Sequence, residues 1–341
     1  MNLEGLTTAW LTEVLGEEVD EIAIEQVGTG QIGTCFRVRL AGAGSTDTVL
    51  VKLPPPDTAA RDMMAGVYRA EVRFYQEVAA TVAVRVPACH HAEIADDSGD
   101  FVIVLEDLAP REQGDQIAGC NAAQARDAVV NLAGLHGPRW CDPTLADVDT
   151  LSVNGPEDIE LMLQMWDPTI QLFLDGLGDL IAPEDAATLR ACGDVIERWL
   201  LGRSERFAPV HGDYRLDNLM FPTDGGPDVV AVDWQTLSLA LPARDLAYFT
   251  GTSLTVEDRR AHERELVAAY HEALLSYGVL DYSREQCWDD YVFAMIQGPL
   301  VAAFGCAYGT RTERGDRMFA TMIARSCTAM RDLGTLDLVR G

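Results

Sequence analysis

The chain has 341 residues, 48% of them hydrophobic, and 54 acidic against 26 basic side chains give it a formal net charge of −28. That is apolar material for a sizeable core divided between two lobes, while the acidity weighs against a nucleic-acid partner, whose phosphates require a basic face; solubility is the simpler reason for such excess surface acid. Eight cysteines without CxxC spacing read as reduced thiols and no zinc site, the acids in Met1–Glu18 argue against a signal peptide, and Gly298–Gly309, the longest uncharged apolar stretch, is too short for a bilayer, so a cytoplasmic protein without a membrane partner is expected.

Leu6, Trp10 and Val14, spaced by four, predict an amino-terminal helix that packs on the first lobe. Gly28-Thr-Gly-Gln-Ile-Gly33 follows, a GxGxxG string that is weak by itself. In a dinucleotide site it would lead from a strand into a helix, with an acid about 20 residues on. Here it leads into Cys35–Leu40, which alternates as a strand does, and that context contradicts an NAD-binding reading. A glycine loop between antiparallel strands instead lays backbone N–H groups over phosphates, with Gly28, Gly30 and Gly33 as its glycines.

Val49–Leu53 is an apolar strand containing Lys52, and a cation in that setting requires an anionic partner. A helix predicted over 62–80 offers one: Val67, Phe74 and Val78 share a face, and Glu71 lies on it between them. A Lys52–Glu71 pair would aim the lysine at the α- and β-phosphates of a nucleotide. The alternative leaves Glu71 reaching to solvent and Lys52 on an edge strand. Phe101–Leu105 is a further buried strand, running into Glu106-Asp-Leu108.

Ala122–His136 predicts a helix whose stripe of Ala125, Val129, Leu132 and His136 is stopped by Gly137. On that apolar face His136 reads as a satisfied core residue in preference to a catalytic one. The segment with most chemistry is His211–Asn218, HGDYRLDN, followed fifteen residues later by Asp233 in VVAVDWQ. Phe207–Val210 and Val229–Val232 place both acids where short strands run into loops, and Asn218–Phe221 with the turn 223–227 makes a hairpin that returns Asp233 toward Asn218. Asp213 can accept a hydroxyl proton, and Asn218 and Asp233 are hard oxygen ligands suited to Mg2+ against the phosphates of ATP. Taken singly, each is an ordinary turn residue. Asp245, in Pro242-Ala-Arg-Asp-Leu246, reads as a helix cap or a brace under the loop.

The order of glycine loop, strand lysine, helix glutamate, HGDxxxxN and DW resembles the aminoglycoside phosphotransferase and choline kinase-like superfamily, over nearly the whole chain. GxGxxG, RAEVRFYQEV, VLEDL and DWQ are most similar to its ecdysteroid-kinase-like branch and bacterial relatives. The resemblance implies an α+β, protein-kinase-like fold of two lobes: a small antiparallel β lobe over 1–108, and a mainly helical lobe over 109–341. It implies a hinge at Glu106 and Leu108 whose backbone binds adenine, Asp213 as base, Asn218 and Asp233 as Mg2+ ligands, and Lys52 with Glu71 at the phosphates. His211 would brace the loop. HGD in place of HRD, DWQ in place of DFG and the lack of an APE segment set the chain apart from protein kinases, so a small-molecule hydroxyl is the expected acceptor.

In that superfamily the helical lobe builds the acceptor pocket. The candidate wall is Trp288–Tyr308, with Tyr291, Phe293, Met295, Ile296, Leu300 and Phe304, and with only Asp289 and Asp290 to meet ammonium groups. This favours an acceptor with an apolar part over an aminoglycoside, although the same aromatics also suit a plain core. A nucleotide-binding regulatory module without turnover is the alternative of another class.

Overall fold

The computed structural model describes residues 2–341 apart from 28–32, 97, 150 and 154, and apart from the side chains of 59, 60 and 63. The chain divides into a first compact unit, Met1–Ala80 with Val86–Pro110 and Val232–Thr236, and a second, Thr81–Arg85 with Arg111–Ala231 and Leu237–Gly341.

In the first unit, α1 (Thr8–Leu15) is capped by the Thr7 hydroxyl and ends at Gly16, whose φ of +67° suits glycine. Strands β1 (Glu21–Val27), β2 (Thr34–Ala41), β3 (Thr48–Leu53), β4 (Cys89–Ile94) and β5 (Phe101–Glu106) form one sheet in the order β1-β2-β3-β5-β4, antiparallel throughout. The two-residue period of a strand sorts β3: Val49, Val51 and Leu53 join Leu6, Leu11, Val38, Val102 and Val104 in one apolar cluster. Lys52 therefore points to the other face. β5 is buried from Phe101 to Leu105, as a strand covered on both sides must be.

The predicted helix over 62–80 is segmented. It consists of α2 (Thr58–Met63), α3 (Ala65–Arg73), a π-helical turn over Phe74–Val78 and a 3-10 turn over Ala79–Thr81. Glu71, Phe74 and Val78 are buried as expected, but Tyr68, stacked on Phe101 with centroids 4.6 Å apart, takes the buried place expected of Val67.

The second unit is mainly helical: α4 (Ala122–His136), α5 (Pro156–Leu177), α6 (Pro183–Ala191), α7 (Ile196–Leu201), α8 (Ala243–Ser253), α9 (Val256–Ser276), α10 (Arg284–Ala294), α11 (Gln297–Tyr308), α12 (Glu313–Leu333) and α13 (Thr335–Arg340). Short strands interrupt it: β6 (Glu112–Gln113), β8 (Leu219–Phe221) and β9 (Val230–Ala231) make one ribbon, and β7 (Ala208–Val210) pairs with β10 (Ser238–Ala240). α8 is buried at every residue and packs against α10, α11 and α12, which makes it the axial helix of the unit. A small antiparallel sheet unit and a larger helical unit are the expected α+β partition.

The expected acceptor wall is corrected here. Tyr291, Phe293, Met295 and Ile296 are core residues, 0–6% exposed. Tyr291 donates its hydroxyl to Glu263, the Arg203 guanidinium lies 4.5 Å over the Phe293 ring, and Met295 packs beside Gly251. Of the six side chains named for it, only Leu300 and Phe304 are half-buried. Taken together, Arg284–Tyr308 is long and apolar enough to cross a bilayer, with mean hydropathy 1.4, yet 61% of that window is buried against the rest of the protein. Core packing accounts for its apolar character.

Candidate active site

In the first unit, Lys52 extends from β3 with its Nζ 2.7 and 2.6 Å from the two carboxylate oxygens of Glu71 on α3. The Glu71 side chain is 1% exposed and the Lys52 side chain 11%. Burial draws the ammonium's proton affinity down, but Glu71 and Asp233 more than reverse this and hold Lys52 above the usual lysine range, so it stays charged. The sequence expectation of a buried ion pair is what the geometry gives.

Asp233, in the Val232–Thr236 segment of this first unit, has φ +69°, a backbone region that non-glycine residues seldom occupy. Its Oδ1 is 3.7 Å from Lys52 Nζ, too far for a hydrogen bond. That oxygen is buried without a hydrogen-bond partner among the described residues, although the side chain as a whole is 42% exposed. A buried, unanswered carboxylate oxygen beside a lysine already committed elsewhere suits a site completed by a cation. The next two residues fasten this segment to the helix. Trp234 lies flat on Phe74, centroids 3.6 Å apart at 7°, and Gln235 donates its Nε2 hydrogen to Glu71 Oε2 at 3.3 Å.

Glu106 ends β5, and its carboxylate accepts from the Ala88 N–H at 3.1 Å. Leu108, two residues on, is half-buried. Between them Asp107 holds Arg37 of β2 through two hydrogen bonds of 2.6 and 3.1 Å, a lock the sequence reading missed. Gly28 and Gly30 lie outside the described residues. A Cβ at Gly33 would meet Leu53 O at 3.5 Å and Phe101 Cζ at 3.7 Å, ordinary contacts, so internal packing does not require glycine there.

In the second unit, β7 delivers His211, Gly212 and Asp213. Gly212 has φ +79°, which turns the loop without Cβ strain. Asp245 of α8, fully buried, accepts from the His211 and Gly212 N–H groups at 2.6 and 2.9 Å; it is the brace, not a helix cap. His136 stands beneath it, 2.7 Å from the Tyr270 hydroxyl and 3.4 Å from Asp245, fully buried as a core histidine. His211 Nδ1 accepts from the Asp213 N–H at 3.3 Å.

Three donors address the Asp213 carboxylate. The Tyr248 hydroxyl donates to Oδ1 at 2.6 Å, Arg215 Nε lies 3.0 Å from both oxygens, and Asn218 Nδ2 donates to Oδ2 at 2.9 Å. Burial first, and then the charge of Asp213, push the Tyr248 phenol well above its ordinary range, so it keeps the proton it donates. A carboxylate offers about four lone-pair positions, so roughly one is left for an incoming hydroxyl. The Asn218 amide spends its N–H on Asp213, at the side chain and at the backbone oxygen, and its Oδ1 has no protein hydrogen bond among the described residues. Asp217 is bound by Arg215 at 3.0 Å, by both terminal nitrogens of Arg314 of α12 at 2.9 and 3.0 Å, and by the Gln116 N–H at 3.0 Å.

Arg215, Asp217, Tyr248, Gln235 and Arg314 were not singled out from sequence. Two carried a signal: Arg215 sits midway between two acids in Asp213-Tyr-Arg-Leu-Asp217, and Tyr248 is three residues after Asp245, on the same helical face. Among the described residues no three His, Cys, Asp or Glu side chains gather to hold a metal alone.

The model of the phosphotransferase enzyme family matches residues 23–285. Among solved structures, choline kinase from Cryptosporidium parvum Iowa II aligns with a TM-score of 0.62 at 11% identity, over 94% of this chain and 93% of that one. The GDP complex of aminoglycoside 2'-phosphotransferase-IIIa gives 0.56 at 14% identity over 96% and 99% of the two chains. The gentamicin complex of APH(2")-IIa gives 0.50 at 17%, over 97% of each. At such identities the likeness shows the fold, which is kinase-like. Acyl-CoA dehydrogenase family member 10 from Mus musculus is 41% identical over 54 residues, 15% of this chain, and the chain spans only 5% of that protein's length.

Proposed function

We propose, for a chain that belongs to the phosphotransferase enzyme family, that it transfers the γ-phosphoryl group of MgATP to a hydroxyl of a small acceptor with an apolar part. The observation that carries this reading is the gathering of Lys52, Glu71 and Asp233, far apart in sequence, with Asp233 Oδ1 left without a hydrogen bond 3.7 Å from the lysine. An ammonium fixed by one carboxylate and a second carboxylate open to a cation suit a nucleotide's phosphates.

In the proposed reaction the backbone of Glu106 and Leu108 receives adenine, and the amides of the Gly28, Gly30 and Gly33 loop cover the phosphates. Lys52 pairs with phosphate oxygens, oriented by Glu71. Asn218 and Asp233 are the residues that would hold Mg2+, which would supply charge neutralisation at the phosphates. Asp213 accepts the hydroxyl proton as the acceptor oxygen bonds to the γ-phosphorus and the bond to the β-phosphate oxygen breaks, giving ADP and a phosphate ester. Arg215, Tyr248 and Asn218 hold the carboxylate so that its open lone pair meets that hydroxyl. The cytoplasm is the proposed compartment, since it supplies MgATP and keeps the eight free cysteines reduced.

The acceptor reading rests on what the acids are doing. Asp290 is fully buried and spent on Arg203, Arg206 and Tyr282, so it does not serve an ammonium group. Of the expected wall, Leu300 and Phe304 stay half-buried, with Tyr308 58% exposed beside Phe304. The test is Mg2+-dependent release of ADP or GDP across aminoglycosides, choline-like amines, macrolides, sugars and hydroxysteroids, with Asp213→Ala alongside. Release with an apolar alcohol, lost about 100-fold or more in the variant, is expected. Efficient transfer to aminoglycosides alone overturns the acceptor class, and undiminished turnover by Asp213→Ala removes Asp213 as base.

A further inference from the structure

The DWQ segment closes a ring of side chains around the phosphate-site lysine. Lys52 Nζ bonds both oxygens of Glu71, Gln235 Nε2 reaches Glu71 Oε2 at 3.3 Å, and two residues back along the chain Asp233 Oδ1 faces Lys52 again at 3.7 Å. Trp234, fully buried on Phe74, fixes the segment between these two ends. Gln235 is itself 9% exposed, and among the described residues only it and Lys52 hydrogen-bond the Glu71 carboxylate.

We propose that Gln235 is a positioning residue that keeps Lys52 on Glu71 and off Asp233, so that the free oxygen of Asp233 stays available to the metal. The inference rests on the nucleotide-site reading above. Lys52 has two carboxylates to choose between, and a shift of about 1 Å would close the 3.7 Å gap to a hydrogen bond. A lysine bonded to Asp233 competes with a cation for that oxygen. Gln235 opposes this by donating to Glu71, which fixes the plane of the carboxylate with both oxygens toward Nζ. Only a side chain with an N–H at this place does so: an apolar residue leaves Glu71 free to turn, and a carboxylate repels it.

The role predicts a split in metal dependence that loss of packing alone does not produce. ADP binding is measured by calorimetry for wild type, Gln235→Leu and Gln235→Glu, with and without Mg2+, beside thermal melts. In Gln235→Leu the Mg2+ concentration giving half-maximal tightening is expected to rise about tenfold, the scale of one hydrogen bond to a charged group. Metal-free ADP affinity should change less than about twofold, and Gln235→Glu should show the larger rise. Equal weakening with and without Mg2+, or wild-type metal dependence in both variants, overturns the proposal. If the leucine variant is too unstable to assay, the isosteric Gln235→Glu decides by the same criterion. Wild type that binds ADP under neither condition overturns the nucleotide-site reading, and this inference with it.

Discussion

Replacing Lys52 by Met removes a charge from the least exposed ion pair among the described residues of the first unit and leaves the side chain's shape nearly intact. Glu71, 1% exposed, would keep only the Gln235 hydrogen bond. Breaking a buried pair from one side costs about 3–5 kcal/mol, because the remaining charge stays desolvated. With the lysine gone, the dominant influence on Glu71 is burial, which pushes its carboxyl above the usual glutamate range. A group raised in the folded state contributes stability that is complete below its unfolded value and lost as pH rises through the folded one. Lys52→Met should therefore be close to wild type near pH 5 and about 3–5 kcal/mol less stable at pH 8. Urea unfolding followed by tryptophan fluorescence at the two pH values reads this, since Trp234 is stacked inside the affected unit. Adding Glu71→Gln, which removes the stranded charge, should recover most of the loss at pH 8. A deficit independent of pH, or a double variant as unstable as the single one, refutes the reasoning.

Tyr248→Phe deletes the 2.6 Å hydrogen bond to Asp213 Oδ1 and nothing else of the loop's support. It should lower kcat by about 10- to 100-fold with the acceptor KM changed little, from a bond worth about 1.5–3 kcal/mol; steady-state kinetics with the identified acceptor check the split, and unchanged kcat would remove Tyr248 from the mechanism. Asp290→Asn leaves Arg203 and Arg206 short of a counter-charge in the second unit. Thermal melts should show a loss of about 3–5 kcal/mol with ADP affinity unchanged below the transition, and a wild-type melt would mean that the arginines find other partners.

Charge in an apolar setting made the first unit's chemistry legible. Lys52 in a strand of valines and Glu71 on a helical face each called for a partner of opposite charge, and the structure pairs them. Likewise β2, β3 and α4 were readable because elements with one buried face show their period, and β5 as a short, continuous apolar run. β1 was not, since Glu21–Val27 is mostly exposed and carries almost no burial pattern. Nor was the break at Met64, nor the π-helical turn after α3, where no Gly or Pro stands. The acceptor wall failed for the opposite reason: a helix buried nearly all round, such as the stretch from Tyr291 to Ile296, has no polar face to say which side meets a ligand. The support of Asp213 by Tyr248 of α8 is a tertiary contact across 35 residues, and spacing alone does not name it.

The assignment of Val232–Thr236 to the first unit, while the residues on either side belong to the second, bears on how such a protein can be divided. A polypeptide ending at Pro110 would carry the glycine loop, Lys52 and Glu71, but the Phe74 ring would lose its indole cover and Glu71 one of its donors. The units are therefore not exchangeable parts. A chimera or split protein that swaps the amino-terminal piece must bring the five-residue DWQ string from the same parent, and recombination between relatives is constrained at two distant places in the gene rather than at one.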